Sequence, residues 1–235
     1  SVTQIAQTYI AQGKPLPAPA DIGDDDIGQL IRAFQALSTQ VDTLKGDLAR
    51  QHERYTRSID IAGRISRETA ALYDVDALLN RAIGLIVNAY GFYHAQVFLL
   101  DDIGQNAILY YSHGEIGKQL LGQRHKIPVG SESVIGMVTK RSVPLVVNDT
   151  SRRDEGIPHR FNPLLPDTRA ELAIPLQIGE RIIGALDIQS TEPNAFHDDE
   201  LRNFQLLADQ IAIAIQNVRL LIESEARGAQ IDTLN

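Results

Sequence analysis

The sequence predicts an α+β domain with an antiparallel sheet, entered through a long amphipathic helix. Three observations carry this. Apolar residues recur at steps of three and four up to residue 72, form near-continuous runs between 94 and 188, and return to helical spacing after 198. The apolar runs come in pairs joined by short polar turns, the pattern of hairpins. Hydrophobic residues concentrate between 78 and 221, so the core belongs there, in a domain of strands with helices at both ends.

The elements follow in order. Val2, Ile5, Tyr9 and Ile10 lie at helical spacing and Gly13 stops that helix. Pro15, Pro17 and Pro19 force an extended connector, because each lacks a donor and restricts the residue before it. Asp24, Asp25 and Asp26 then open a second helix, their carboxylates complementing its positive end. That helix carries a narrow apolar stripe through Ile27, Leu30, Phe34, Leu37, Val41, Leu44, Leu48, Tyr55, Ile59, Ala62, Ile65, Thr69 and Leu72, interrupted at Gln51 or His52. A stripe of this width cannot be buried against its own helix. The expected cover is a second copy of the chain in a parallel homodimer; the alternative is the domain that follows.

A break at Tyr73-Asp74-Val75-Asp76 precedes a fresh helix through Leu78, Leu79, Ala82, Ile83, Ile86, Val87 and Tyr90, ended by Gly91. His94–Leu100 and Ala107–Tyr111 read as strands around an Asp101–Gly104 turn, and 113–126 is left without an element. Lys126–Val129 leads to a short helix at Ser133–Lys140, then a strand at Val143–Val147. Leu172–Ile178 and Ile182–Ile188 form a hairpin around Gly179-Glu180. A last helix runs from Asp198 to about Ser224, with Leu201, Phe204, Leu207, Ala208, Ile211, Ile215, Val218 and Leu221 on its apolar face.

Composition excludes several classes of function. The chain has 235 residues, 43% hydrophobic and 22% charged, with a net charge of −8; that acidity argues against nucleic acid as a partner and against anionic membrane surfaces. It has no cysteine, which removes disulfides, thiol catalysis, thiolate metal sites and thioether-linked chromophores. No apolar run reaches the roughly 18 residues of a membrane span, and no signal peptide is visible. Ser1 and Asn235 both fall inside helical patterns, so the chain reads as part of a longer protein.

Two resemblances organise the chain. Residues 2–44 resemble the HAMP linker of bacterial receptors: a short helix, Gly13, a connector with Leu16 and Ile22, then Asp25-Asp26-Ile27-Gly28-Gln29-Leu30 and Ala33-Phe34. The family usually has Glu where Asp26 stands, and a proline at the start of the first helix that is absent here. Residues 69–221 resemble a GAF domain, on the run Asn162–Leu176, then Ile183–Ser190 and Phe196 with Asp199-Glu200. The run is similar to GAF modules that precede histidine kinases. The resemblances imply a HAMP-like dimeric hairpin over 1–48, a parallel coiled-coil signalling helix over 49–73, a GAF-like antiparallel sheet flanked by helices over 74–222, and the start of an output linker over 223–235. They imply a non-catalytic sensing and relay module on the cytoplasmic side of an inner-membrane-anchored receptor. The parent chain would add an N-terminal membrane helix and a C-terminal output, a histidine kinase. Leu30, Phe34, Leu37, Val41, Leu44, Leu48, Tyr55 and Ile59 would form the relay seam. A ligand-free dimerisation spacer and a cyclic-nucleotide-binding GAF domain are the alternatives.

Catalytic chemistry finds little support. His52-Glu53 on a helix invites a phosphoacceptor reading, but Arg57 stands where that motif has proline. The six histidines are scattered without ligand spacing, so no metal site is expected. No nucleophile elbow or phosphate loop occurs. The dispersed residues of cyclic-nucleotide-binding relatives are incomplete: Phe196, Asp199 and Glu200 are present, but Gln189-Ser190 replaces Asn-Lys. The segment 149–169 is the strongest candidate, since a long aperiodic connection in a compact domain is usually a lid or binding loop. It combines Arg152, Arg153, Arg160 and Arg169 with Phe161 and Asn162. Arg160, Phe161, Asn162 and Arg169 are therefore candidate ligand residues, with Phe98, Tyr111 and His125 on the sheet side, for an unknown small molecule, anionic or planar. The plainer alternative is a loop held by Pro163 and Pro166, with Arg169 paired to Glu171 or Asp187. No cofactor is identified.

Overall fold

The computed structural model describes residues 26–69, 72, 74–123, 125–151, 162–197 and 200–232. The first expected helix, its Gly13 stop, the proline connector and the Asp24-Asp25 pair lie outside the described residues. The chain divides into two units, 1–54 and 55–235.

Helix α1, Asp26–Thr69, enters both units. In the first unit its apolar row is open to solvent: Leu37, Leu44 and Leu48 are 58%, 59% and 66% exposed. Phe34 and Val41 are half-buried, and the side chain of Leu30 is not among those described. In the second unit Tyr55 and Ile59 remain exposed, but Ile61, Ala62 and Ile65 are buried in the core of that unit. The expectation that one seam continues to Leu72 is thus corrected for Ala62, Ile65 and Thr69. They face their own domain, the alternative that the sequence left open. Ser58 fixes this contact through a 2.7 Å hydrogen bond to the Tyr90 hydroxyl, and Glu68 pairs with Arg64 and Arg81.

The second unit continues with α2 (Val75–Tyr90), β1 (His94–Leu100), β2 (Asn106–Ser112), α3 (Gly114–Gly122), β3 (Lys126–Pro128), α4 (Val134–Arg141), β4 (Leu145–Val147), β5 (Ala170–Ile178), β6 (Arg181–Ser190) and α5 (Leu201–Asp232). Asp74 caps α2 by accepting from the N–H groups of Asp76 and Ala77. Gly91 closes it at φ 70°, where a side chain would be strained. The stretch 113–126, which carried no clear period, contains α3. Its nine residues give little more than two turns, too few for an amphipathic pattern to register. The strand expected at Val143–Val147 shortens to β4 because Ser142 is left-handed, at φ 57°, and Pro144 has no N–H to donate. The last helix begins at Leu201 rather than Asp198 and runs past Ser224 to Asp232.

The strands form one antiparallel sheet in the order β3-β2-β1-β6-β5-β4. Gly184 is where β6 crosses closest to β1: a Cβ there would lie 2.1 Å from the Phe98 carbonyl oxygen. Both faces are covered. Ala95, Val97 and Leu99 of β1, Leu172, Ile174 and Leu176 of β5, and Leu186 and Ile188 of β6 face the larger core, filled by α2, α5 and the end of α1. Phe98, Ala107, Leu109, Ala173 and Ala185 face a smaller core with Leu120 of α3, Val134, Ile135 and Val138 of α4, and Leu165. The alternation of successive side chains across a strand divides the two sets.

Candidate ligand pocket

The smaller core is incomplete. Between the sheet, α3, the start of α4 and the segment 162–168 lies a cavity of about 480 Å³. Phe98, Leu109, Leu120, Val134, Ile135 and Leu165 form the apolar part of its wall, and Gln123, His125, Lys126, Ser131, Ser133 and Asn162 also line it. Its floor is polar: Gln96 of β1, Glu171 of β5, Asp187 and Gln189 of β6, and Thr168 just before β5. All five are buried. Sheet register places them together, since Gln96 pairs with Asp187 and Glu171 with Gln189.

Asp187 is the centre of this floor. Its Oδ2 accepts from Gln96 Nε2 at 2.7 Å and from Gln189 Nε2 at 2.8 Å. Thr168 donates to Gln189 Oε1 at 2.6 Å, which orients that amide. Asp187 Oδ1 has no donor among the described residues. Its side-chain contact with Glu171 is carboxyl to carboxyl, a hydrogen bond only when one of the two holds a proton. Burial raises the pKa of Glu171 to about 7, opposed by the Asp187 contact. Burial, and then the charge of Glu171, push Asp187 well above the ordinary carboxylate range, against the pull of Gln189 and Gln96. Two carboxyls this close and this dry hold at least one proton between them at neutral pH. His94 continues the strip. It is bonded to Ser112 at 2.9 Å, and burial, with the nearby His113, lowers its pKa to about 4, so it is neutral.

Three of the candidate residues meet here: Phe98, His125 and Asn162 line the cavity, with the His125 ring edge-on to Phe98 at 6.4 Å. Arg160 and Phe161 lie outside the described residues. Tyr111 is placed elsewhere. Tyr110 is an extra residue in β2, because Val97 pairs with Tyr111 and Phe98 with Leu109. This bulge turns Tyr111 to the larger core, where its hydroxyl donates to Asn80 of α2 at 2.9 Å. Arg169 is exposed and does not line the cavity; its guanidinium lies 3.6 Å from Asp149 rather than against Glu171 or Asp187. It closes the base of the 149–169 segment, together with Thr150, whose N–H and hydroxyl bond the carbonyls of Arg169 and Thr168. Phe196 packs with Phe92 and Phe204 in the larger core, away from the cavity. Asp199 lies outside the described residues.

The floor residues escaped the sequence reading because polar positions alternating along a strand look like a solvated face. The available signal was that Gln96, Glu171, Asp187 and Gln189 sit in the strands richest in apolar residues, which are central strands. Polar side chains there need an explanation.

A six-stranded antiparallel sheet with helices on both faces and a cavity on one of them defines a domain of α+β class. The chain belongs to the GAF family: the model of the GAF domain matches residues 73–216, and the family is one of regulatory and sensor domains. The fold is similar to that of the GAF domain from a phosphoenolpyruvate-protein phosphotransferase of Coxiella burnetii, at 23% identity and a TM-score of 0.61, covering 74% of this chain and 98% of that one. It is also similar to a free methionine-R-sulfoxide reductase of Neisseria meningitidis in complex with its substrate, at 21% identity and a TM-score of 0.59, covering 70% and 91%. A third similar fold is the GAF domain from the Acinetobacter phosphoenolpyruvate-protein phosphotransferase, at 17% identity and a TM-score of 0.58, covering 69% and 94%.

Proposed function

We propose that this chain is a ligand-sensing relay module: the cavity binds a small molecule, and the helices transmit its occupancy within a parallel homodimer. The observation that carries this reading is the cavity itself, part of its wall apolar and its floor polar and buried, with a central carboxyl oxygen that lacks a donor among the described residues. A thermal-melting screen against nucleotides, aromatic compounds, amino acids, amines and organic anions tests it. A molecule that binds only the folded state raises the melting temperature by mass action. A screen without any stabilising compound, with purified protein carrying nothing by mass spectrometry, leaves the ligand-free spacer as the better reading.

The dimer half of the proposal rests on the open apolar row of α1, Leu37, Leu44, Leu48, Tyr55 and Ile59, and on Ile213, Leu220 and Leu221, which are exposed on α5. Exposed apolar rows at helical spacing favour a helix partner. Sedimentation at tens of micromolar should report a dimer, and the double substitution Leu44→Glu, Leu48→Glu should yield a monomer. A monomeric native chain refutes the seam. No helix among the described residues is long and apolar enough to cross a membrane. In our reading the membrane input enters through the HAMP-like residues 1–48, which include the start of α1, and the output, a histidine kinase, follows α5. The chain would then work on the cytoplasmic side of the membrane, without catalytic residues of its own.

A further inference from the structure

We propose that the cavity selects a small amphiphilic amine, with its apolar body against Phe98, Leu109, Leu120 and Leu165 and its nitrogen donating to Asp187 and Glu171. This rests on the sensing reading above and adds the chemical class of the ligand.

The donor balance of the floor points that way. Gln96 and Gln189 both present their amide N–H groups to a single oxygen of Asp187, and the other oxygen is left without a donor at a residue 0% exposed. A buried acceptor left unpaired is costly. Glu171 places a second buried carboxyl beside it, in contact with Asp187. The missing group is therefore a donor, and an ammonium, with three N–H bonds, can reach both carboxyls at once. Charge agrees with the count. A dyad that keeps one proton carries one negative charge, which one cation neutralises in a dry site. Phe98, Leu109, Leu120, Val134, Ile135 and Leu165 form the apolar part of the wall and favour an apolar body.

The other titratable and charged groups near the dyad do not supply that cation. His94 of β1 is neutral and engaged with Ser112, with His113 beyond it. His125, before β3, and Lys126 of β3 belong to the cavity lining and are exposed at its edge. They favour an anion there, so an anionic probe must be part of the test. An ammonium favours the singly protonated, negatively charged dyad over the doubly protonated neutral one, so binding releases one proton from the latter and affinity rises with pH through the neutral range.

Calorimetric titration of the whole chain with benzylamine, benzyl alcohol and benzoate tests this. The three probes share one apolar body and differ in head group. Benzylamine should bind at least about tenfold more tightly than benzyl alcohol. Its affinity should rise from about pH 6 to about pH 8, with proton release seen by comparing buffers of different ionisation enthalpy. Asp187→Asn should lose about tenfold for benzylamine and little for benzyl alcohol. The ranking of probes on the native chain does not depend on any variant folding. Benzoate or benzyl alcohol binding as well as benzylamine overturns the amine while leaving a ligand site. Benzylamine failing to bind at millimolar concentration also overturns it. The sensing reading falls with it only when the broader melting screen is blank too.

Discussion

The two faces of the sheet are equally removed from solvent, yet they are built differently. Strand β6 shows this within one run of residues. Leu186 and Ile188 point into the larger core and meet apolar side chains of α2 and α5. Ala185, Asp187 and Gln189 point the other way, to a smaller core with a cavity in it. One face is dry, filled and indifferent to pH. The other keeps two carboxyls out of water and leaves space above them. The first face holds the domain together; the second leaves a cavity above buried polar groups, an arrangement that costs stability.

The largest effect should come from damaging the filled face. Leu186→Ala leaves a void under α5 and should lower unfolding stability by about 3 kcal/mol in urea titrations. Ligand-induced stabilisation should persist in the surviving folded protein. A loss below about 1 kcal/mol would mean that the larger core does not carry the fold.

Next comes Glu171→Gln, whose effect should change with pH. Its carboxyl has a folded pKa raised from 4.5 to about 7. A raised pKa contributes stability that is present below the unfolded value and is lost as pH rises through the folded one. The native chain should therefore weaken between about pH 5 and pH 8 relative to the glutamine variant, by roughly 2–3 kcal/mol. Asp187, also raised, acts with the same sign. His94 acts oppositely: its contribution is present above 6.5 and lost as pH falls toward about 4. The difference between native and variant melting curves removes the His94 slope. A pH-independent difference would place Glu171 in contact with water.

Smaller effects sharpen the same contrast. Thr168→Val removes the donor that orients Gln189 and should cost about 1 kcal/mol, with ligand affinity reduced as well. Tyr111→Phe removes only the bond to Asn80 on the filled face and should cost under about 1 kcal/mol, with ligand affinity unchanged. An affinity loss in that variant would return Tyr111 to the site.

Much of the architecture could be read from order along the chain. The strands at 94–100 and 182–188, the hairpin at Gly179-Glu180 and the Gly91 stop are local events, each set by a few neighbouring residues. The elements that were missed or misplaced are those too short to show a period, α3 and β4, and the start of α5. Of the candidate residues, Phe98, His125 and Asn162, two rings and a turn-forming amide beside an aperiodic segment, line the cavity. Asn162 also receives the Leu164 N–H at 3.0 Å, a local bond that its residue type favours.

By itself the sequence determined the longer helices and strands, where apolar mass collects and, with no cysteine, that thiol chemistry is absent, because periodicity and composition are properties of neighbouring residues. Only the tertiary structure decided what covers each face. Whether Ile65 meets its own domain or another helix, whether Asp187 lies at a surface or on the buried floor of a cavity, and on which side of the bulge Tyr111 falls depend on elements far away in the chain. Burial of a polar group is a relation between layers, and no window along one strand contains it.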